Sequence, residues 1–332
     1  MTRASTAIAL SLAALLATVA LFAVGCTPAT KTAEAPADKP AAIKIGTLAT
    51  EDSLPLWVAE QRGYFATQGL TSVEIVLFQS AQERDVAFAS GAIDAFMGDI
   101  IAAANLEAGG QPTTIATIML GADQSQGRFG IAAAPNAGVK SLTELANVPV
   151  GTSSATIQEY VLDGLMSEAG VATSSVKVEE VKKVPVRFEL LMAGKLKAAA
   201  LPEPFLTLAE QGGAPLVASD TSATANLSQT VLVFSDKYLE GPGGAAAEAA
   251  VLKAWDLGVN DINKDPASVL PLLVEKARLP ESLKTTYKVN VYPTAQVPTK
   301  AQVDAVLTWM KDKGYLKGDV TYTDLVSGSS SK

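Results

Sequence analysis

From Ile43 onward the chain alternates short apolar runs with segments of helical period, and few folds accommodate that rhythm. Strands that are each followed by a helix line up in parallel, with helices covering both faces of the sheet. Ile43–Leu48, Val73–Phe78 and Pro149–Thr152 read as strands, as do residues 94–98. Pro55 opens a helix that carries Leu56, Trp57 and Val58 and stops at Gly63, proline first and glycine last. Ser80-Ala81-Gln82-Glu83 reads as a capping box for a helix ending at Gly91, and Asp99 is placed to cap a helix running to Ala108. Ser141-Leu142-Thr143-Glu144 is a further box of this type, and residues 155–169 form a helix ended by Gly170. Thr299-Lys300-Ala301-Gln302 opens a last helix with Val303, Val306, Leu307 and Met310 on one face and Gly314 beyond its end.

One stretch is echoed later in the chain. Phe88-Ala89-Ser90-Gly91-Ala92-Ile93-Asp94-Ala95-Phe96 matches Leu191-Met192-Ala193-Gly194-Lys195-Leu196-Lys197-Ala198-Ala199 as helix end, glycine and short strand. Each strand runs into a polar turn, Gly98-Asp99 and Pro202-Glu203-Pro204. Two lobes of similar plan produce such an echo.

Composition narrows the chemistry. The 332 residues suffice for two domains, and 48% hydrophobic against 18% charged residues is the balance of a folding chain. A net charge of −8 excludes the basic stripe that nucleic acid requires. There is no histidine, which removes Ser-His-Asp and Cys-His catalysis and imidazole-based zinc sites. The single cysteine, Cys26, makes no internal disulfide or thiolate cage. Carboxylates and lysines could still catalyse, so composition leaves catalysis open; no catalytic residues, no cofactor and no metal are nominated.

The first 25 residues hold one base, Arg3, no acid and a long apolar run ending in small residues, the layout of a secretory signal. Ala23-Val24-Gly25-Cys26 resembles a bacterial lipobox, departing from it at Ala23 where leucine is commoner. That resemblance implies cleavage before Cys26, lipidation of its thiol and anchoring to an extracytoplasmic membrane surface. Residues 26–42, with Pro28, Pro36 and Pro40 and no apolar period, read as a flexible tether. Whether the cell has one membrane or two is left open.

Ser53-Leu54-Pro55-Leu56-Trp57-Val58-Ala59-Glu60-Gln61-Arg62-Gly63-Tyr64-Phe65, followed by Gly69-Leu70, resembles the opening of a known family. Ser90-Gly91-Ala92-Ile93-Asp94, Ser141-Leu142-Thr143-Glu144-Leu145 with Val150-Gly151, and Glu203-Pro204-Phe205 continue the likeness. It is similar to the ABC-importer solute-binding proteins for aliphatic sulfonates, nitrate, taurine and thiamine-pyrimidine precursors. The resemblance implies an α/β fold of two doubly wound lobes joined by two crossing segments, the type II periplasmic-binding fold. Lobe 1 would take residues 43–128 and 223–328 and lobe 2 residues 129–222, with crossings near residues 128–132 and 218–230. The partners implied are a small molecule held by hinge closure and an ABC permease with its ATPase. The protein itself is expected to be a monomer.

In such a fold the pocket comes from turns between strand ends and helix starts, where helix amino termini point inward. That nominates Glu51, Asp52, Trp57, Gln79, Ser80, Asp99, Arg128, Ser153, Ser154, Thr156, Glu203 and Phe205. Ser80 and Asp99 suffice as helix caps, Thr156 with Glu159 suffices as a capping box, and Trp57 and Phe205 serve equally well as core. Glu203 is the sharpest candidate, a carboxylate held stiffly between Pro202 and Pro204. Counted this way, Glu51, Asp52, Asp99 and Glu203 face only Arg128, and a carboxylate facing a bound anion in a low-dielectric cleft is penalised. The count favours a neutral or amine-bearing nitrogen heterocycle such as a thiamine-pyrimidine precursor. A sulfonate or nitrate binder, and a ligand-sensing lipoprotein serving a receptor, are the alternatives. The pyrimidine synthase related to this family depends on histidine, which this chain lacks.

Overall fold

The computed structural model describes residues 39–326, Ser282 excepted. The signal peptide expected over residues 1–25, Cys26 and residues 27–38 of the expected tether lie outside the described residues. Among the described residues no helix is long and apolar enough to cross a membrane.

The chain begins with β1 (Ile43–Leu48), α1 (Leu54–Gln61), α2 (Tyr64–Thr67), β2 (Val73–Phe78), α3 (Ala81–Ala89), β3 (Ala95–Asp99), α4 (Ile100–Ala108) and β4 (Thr113–Leu120). It continues with β5 (Phe129–Ala133), β6 (Pro149–Thr152), α5 (Ile157–Glu168), β7 (Lys177–Glu180), α6 (Val184–Met192), β8 (Ala198–Pro202), α7 (Phe205–Gln211) and β9 (Leu216–Ser219). After β10 (Thr230–Ser235) come only helices: α8 (Asp236–Leu239), α9 (Gly244–Lys264), α10 (Leu270–Lys276), α11 (Leu283–Thr286), α12 (Lys300–Asp312) and α13 (Tyr322–Leu325).

These strands form two five-stranded sheets of the same plan, β2-β1-β3-β10-β4 and β7-β6-β8-β5-β9. In each, three parallel strands are followed by an antiparallel one, β10 against β3 and β5 against β8. The antiparallel strand is in both cases the first to enter after the chain arrives from the other sheet, so each sheet is completed only once the other has been visited. This is the two-lobed α/β architecture that the alternation of strands and helices implies.

The echo noted in the sequence falls on equivalent places. Phe88–Phe96 and Leu191–Ala199 cover the ends of α3 and α6 and the starts of β3 and β8. Gly91 and Gly194 stand at φ 73° and 66°, the left-handed turn after a helix that a side chain disfavours.

The chain changes sheet between Leu120 and Phe129 and returns between Ser219 and Thr230. The first crossing was expected at residues 128–132, but Phe129–Ala133 is already a strand of the second sheet. An apolar run reads the same whether it crosses or pairs, so only the register with β8 and β9 separates the two. The crossings touch at Gly121 (φ 83°), where an added Cβ would lie 2.2 Å from the Ser228 carbonyl oxygen. Asn226 Nδ2 donates to the Gly121 carbonyl oxygen at 2.7 Å, tying one crossing to the other.

The returning helices finish the first lobe. Gly258 in α9 lets that helix lie on α1, where a Cβ would meet the Pro55 carbonyl oxygen at 2.6 Å. Trp57 and Trp255 are both fully buried in the same apolar core, each large side chain contributing about 2–3 kcal/mol on leaving water. α12 starts with the capping box read from Thr299 and Gln302 and buries Val303, Val306, Leu307 and Met310. Two expected starts differ. Glu83 closes on the Gln79 amide (3.1 Å), one residue earlier than a box requires. Residues 142–145 form only a single 3₁₀ turn, whose Ser141 hydroxyl meets Thr143 instead of the turn's amides.

Candidate functional site

The carboxyl ends of the central strands of both sheets meet at one cavity, in which ≈ 50 Å³ is open to the centres of water-sized atoms. One water needs about 10–15 Å³ on this measure, so the space as it stands takes a compact group of a few atoms. Lobe 1 contributes Leu48, Thr50, Glu51, Asp52, Arg84, Met97, Gly98, Asp99 and Thr230 to its wall. Ser153, Thr156, Ile157, Gln158, Lys182, Val184, Arg187 and Glu203 come from lobe 2, and Arg128 from the end of the first crossing.

Of the residues expected here, Glu51, Asp52, Asp99, Arg128, Ser153, Thr156 and Glu203 line the cavity. The rest lie elsewhere. Trp57 is 1% exposed inside the core on α1. Phe205 is buried on α7 against Phe188, ring centroids 5.9 Å apart. Ser80 is a helix cap, accepting from the Glu83 amide at 3.2 Å. Gln79 is exposed on the turn before it. Ser154 faces the outer mouth and gives its amide (3.0 Å) and hydroxyl (2.7 Å) to Glu180. Turn position alone does not say which way a side chain leaves the backbone.

Two buried carboxylates organise the site, and the first of them links the lobes. Asp99 accepts the amide of Ala102 in its own helix α4 (2.7 Å) and that of Ile157, the first residue of α5 in the opposite lobe (3.1 Å). Burial raises its pKa, while Arg84 and these two amides pull it back. Glu203 accepts from the Thr207 amide (3.1 Å) and hydroxyl (2.9 Å) and pairs with Arg128 at 2.8 Å. Arg128 also holds Glu210 at 2.8 Å. The amino termini of α3, α4, α5 and α7 therefore already meet Ser80, Asp99, Asp99 and Glu203. At each of these helix ends a protein group thus already takes one backbone amide.

At the back of the cavity Glu51 is 1% exposed. Its carboxylate accepts from the Asn290 amide (2.6 Å), Asn290 Nδ2 (2.9 Å) and the Tyr287 hydroxyl. Burial, and then the neighbouring charge of Glu203, push its pKa to about 8, so it is largely neutral at pH 7. Asp52 is pushed to about 6 by burial, against a hydrogen bond from the Thr50 hydroxyl at 2.6 Å.

Sequence reasoning missed Arg84, Lys182 and Arg187. Arginines inside amphipathic helices read as solvated, yet Arg84 and Arg187 are 1% and 0% exposed and line the cavity. A signal was present: each stands four residues ahead of its half of the echo, at Phe88 and Leu191. Four cationic side chains, Arg84, Arg128, Lys182 and Arg187, thus surround the cavity. Opposite them stand four acids, of which Glu51 is largely neutral at pH 7, while burial also raises Asp99 and Glu203. The sequence count, which set Arg128 alone against four carboxylates, becomes four cations against those four, with Glu51 largely neutral.

The lobes touch at the rim as well. Lys182 Nζ donates to Gln82 Oε1 at 2.7 Å and Lys183 pairs with Glu83 at 3.0 Å, both across the mouth. Among the described residues no cluster of His, Cys, Asp and Glu could hold a metal ion. The arrangement suits enclosure of a small solute.

Residues 36–255 match the NMT1-like family. Among solved structures, the alkanesulfonate-binding protein SsuA of Xanthomonas axonopodis pv. citri, bound to MOPS, is 16% identical at a TM-score of 0.72, over 86% of this chain and 98% of that one. The ligand-binding component of an ABC-type import system from Staphylococcus aureus, with zinc bound, is 17% identical at 0.72, over 87% and 97%. The periplasmic nitrate-binding protein NrtA of Synechocystis PCC 6803 is 15% identical at 0.72, over 86% and 84%. Likeness at these identities speaks for the fold, which is that of the periplasmic binding proteins. No curated protein matches the sequence.

Proposed function

The chain belongs to the NMT1-like family, and from that premise we propose that it is the extracytoplasmic solute-binding component of an ABC importer, closing two lobes over a small organic or inorganic anion. The observation that carries the anion is the cationic wall of the cavity, Arg84, Arg128, Lys182 and Arg187, in which Arg187 is buried with no carboxylate bonded to it among the described residues and Glu51 is held neutral. In a water-poor cleft a cation without a paired acid attracts a negative guest strongly. The sulfonate MOPS in one structural relative and the nitrate named for another are anions too. The neutral nitrogen heterocycle read from sequence loses its electrostatic premise once Arg84, Lys182 and Arg187 join the wall. Closure, not turnover, is the working step, and the solute leaves to a permease when the lobes part.

Lipidation of Cys26 belongs to the same reading, since residues 23–26 resemble a lipobox. Fatty-acid labelling that Cys26→Ser abolishes is the expected result.

The test is titration of the protein lacking residues 1–26 with nitrate, methanesulfonate, butanesulfonate and acetate. A neutral aminopyrimidine serves as the comparison. The expected outcome is a micromolar Kd, about −8 kcal/mol, for at least one anion, with a rise in Tm in excess ligand. Binding of the aminopyrimidine with no response to any anion would overturn the reading.

A further inference from the structure

We infer that Arg187, and not its structural counterpart Arg84, is the residue that fixes the negative end of the solute. The inference rests on reading the cleft as an anion site and goes on to say where in it the anion sits.

The two arginines are copies by position. Each is the fourth residue of its helix, α3 or α6, and each donates through Nη1 to the carbonyl oxygen in the middle of the next strand. Arg84 reaches Met97 at 2.8 Å, and Arg187 reaches Ala200 at 2.7 Å. That shared bond holds helix to strand in both lobes.

Their remaining valences differ. Arg84 Nε and Nη2 both donate to Asp85 Oδ1, at 2.9 and 2.7 Å, and its guanidinium lies 4.7 Å from the Phe96 ring centroid. A carboxylate and an aromatic face thus compensate the charge inside lobe 1. In lobe 2 the residue after the arginine is Phe188, and the counterpart of Phe96 is Ala199. Arg187 Nε donates to the Val181 carbonyl oxygen at 3.0 Å, and Nη1 also meets Gln158 Oε1. Every one of these partners is neutral. Nη2 is buried with no hydrogen-bond partner among the described residues.

A buried guanidinium with an unmet donor and no bonded carboxylate costs several times what a paired one does. Glu180 is the acid that bears on Arg187, but its carboxylate is bonded to Ser153 (3.3 Å) and Ser154 (2.7 Å). Burial accordingly pushes the guanidinium down to about 9. An oxyanion at Nη2 supplies both the missing acceptor and the missing charge. Arg187 therefore selects an oxygen-bearing anion such as a sulfonate, carboxylate or nitrate over halide, which accepts hydrogen bonds weakly.

The experiment measures Kd for nitrate, methanesulfonate, acetate and chloride in wild type, Arg84→Gln, Arg187→Gln and Arg187→Lys, with thermal melts of each ligand-free protein. The expected result is a loss of at least 100-fold in oxyanion affinity for Arg187→Gln, about tenfold for Arg187→Lys, and tenfold or less for Arg84→Gln. Arg187→Lys keeps the charge, and so reports on the site even if the glutamine variant does not fold. Equal losses for Arg84→Gln and Arg187→Gln, or full affinity in either Arg187 variant, would overturn the assignment while leaving the anion site in place. A wild type that binds none of the anions overturns the anion site itself, and this inference with it.

Discussion

The two lobes repeat one plan, yet only one of them leaves its arginine in need. In lobe 1 the guanidinium of Arg84 is neutralised within a single turn by Asp85 and covered by Phe96. In lobe 2 the same position is served by carbonyl and amide oxygens alone. A repeated fold conserves the bond that holds helix to strand, while the residue that follows decides whether the remaining charge is structural or free for a guest.

That contrast can be broken first through stability. Arg84→Met leaves the Asp85 carboxylate without its cation and the Met97 carbonyl without its donor, and is expected to cost about 2–3 kcal/mol. Arg187→Met removes an uncompensated buried charge, so the ligand-free protein should lose about 1 kcal/mol or less. Urea midpoints of the two variants at pH 7 check this, and equal losses would erase the distinction between the lobes.

The acids sharpen the comparison next. Lobe 1 holds Glu51, raised by burial to about 8 from an ordinary value of 4.5, whereas in lobe 2 burial raises Glu203 and Arg128 pulls it back. Between these two pH values the folded chain binds a proton at Glu51 that the unfolded chain has released. Stability therefore falls as pH rises from about 4.5 to about 8, by up to about 1.4 kcal/mol per unit for this group, and levels off above. Denaturation midpoints at pH 5.5, 7 and 8.5 should show that slope in wild type and a flatter one in Glu51→Gln. An unchanged slope in the variant would move the effect to Asp52 or to another buried acid.

The smallest effect is a gain. Asp85→Asn withdraws the internal carboxylate from Arg84 and gives lobe 1 the unpaired guanidinium that lobe 2 already has. Anion affinity is expected to tighten about threefold, roughly 0.7 kcal/mol, read by the same titration. A weakening would mean that Asp85 supports the cleft in some way other than by neutralising Arg84.

Much of this was legible in the residues. The strands of β1, β2 and β6, the caps at Ser80, Asp99 and Thr299, and the glycine stops at Gly63 and Gly91 follow from local chemistry that a few neighbouring residues settle. Half the site was legible too, because Glu51, Asp52, Asp99, Ser153 and Glu203 sit at turns whose place in the fold follows from the order of strands and helices. Trp57 and Phe205 stay open between pocket and core in the sequence because an aromatic ring near a turn gives no sign of which face it will bury. Arg84 and Arg187 were passed over for the opposite reason, since a charged residue in a helix is assumed to be wet.

The sequence by itself determined the alternation of elements, the two-lobed plan and the exclusion of histidine chemistry, all of which depend on periodicity, capping and composition. Only the tertiary structure decided which charges line the cavity. Charge in a cleft is a sum over side chains more than a hundred residues apart, and burial changes which of them are ionised. The packing of the lobes brings Glu51 and Glu203 together, and the fold of lobe 2 sets Arg187 beside the cavity without a bonded acid, which no local pattern encodes.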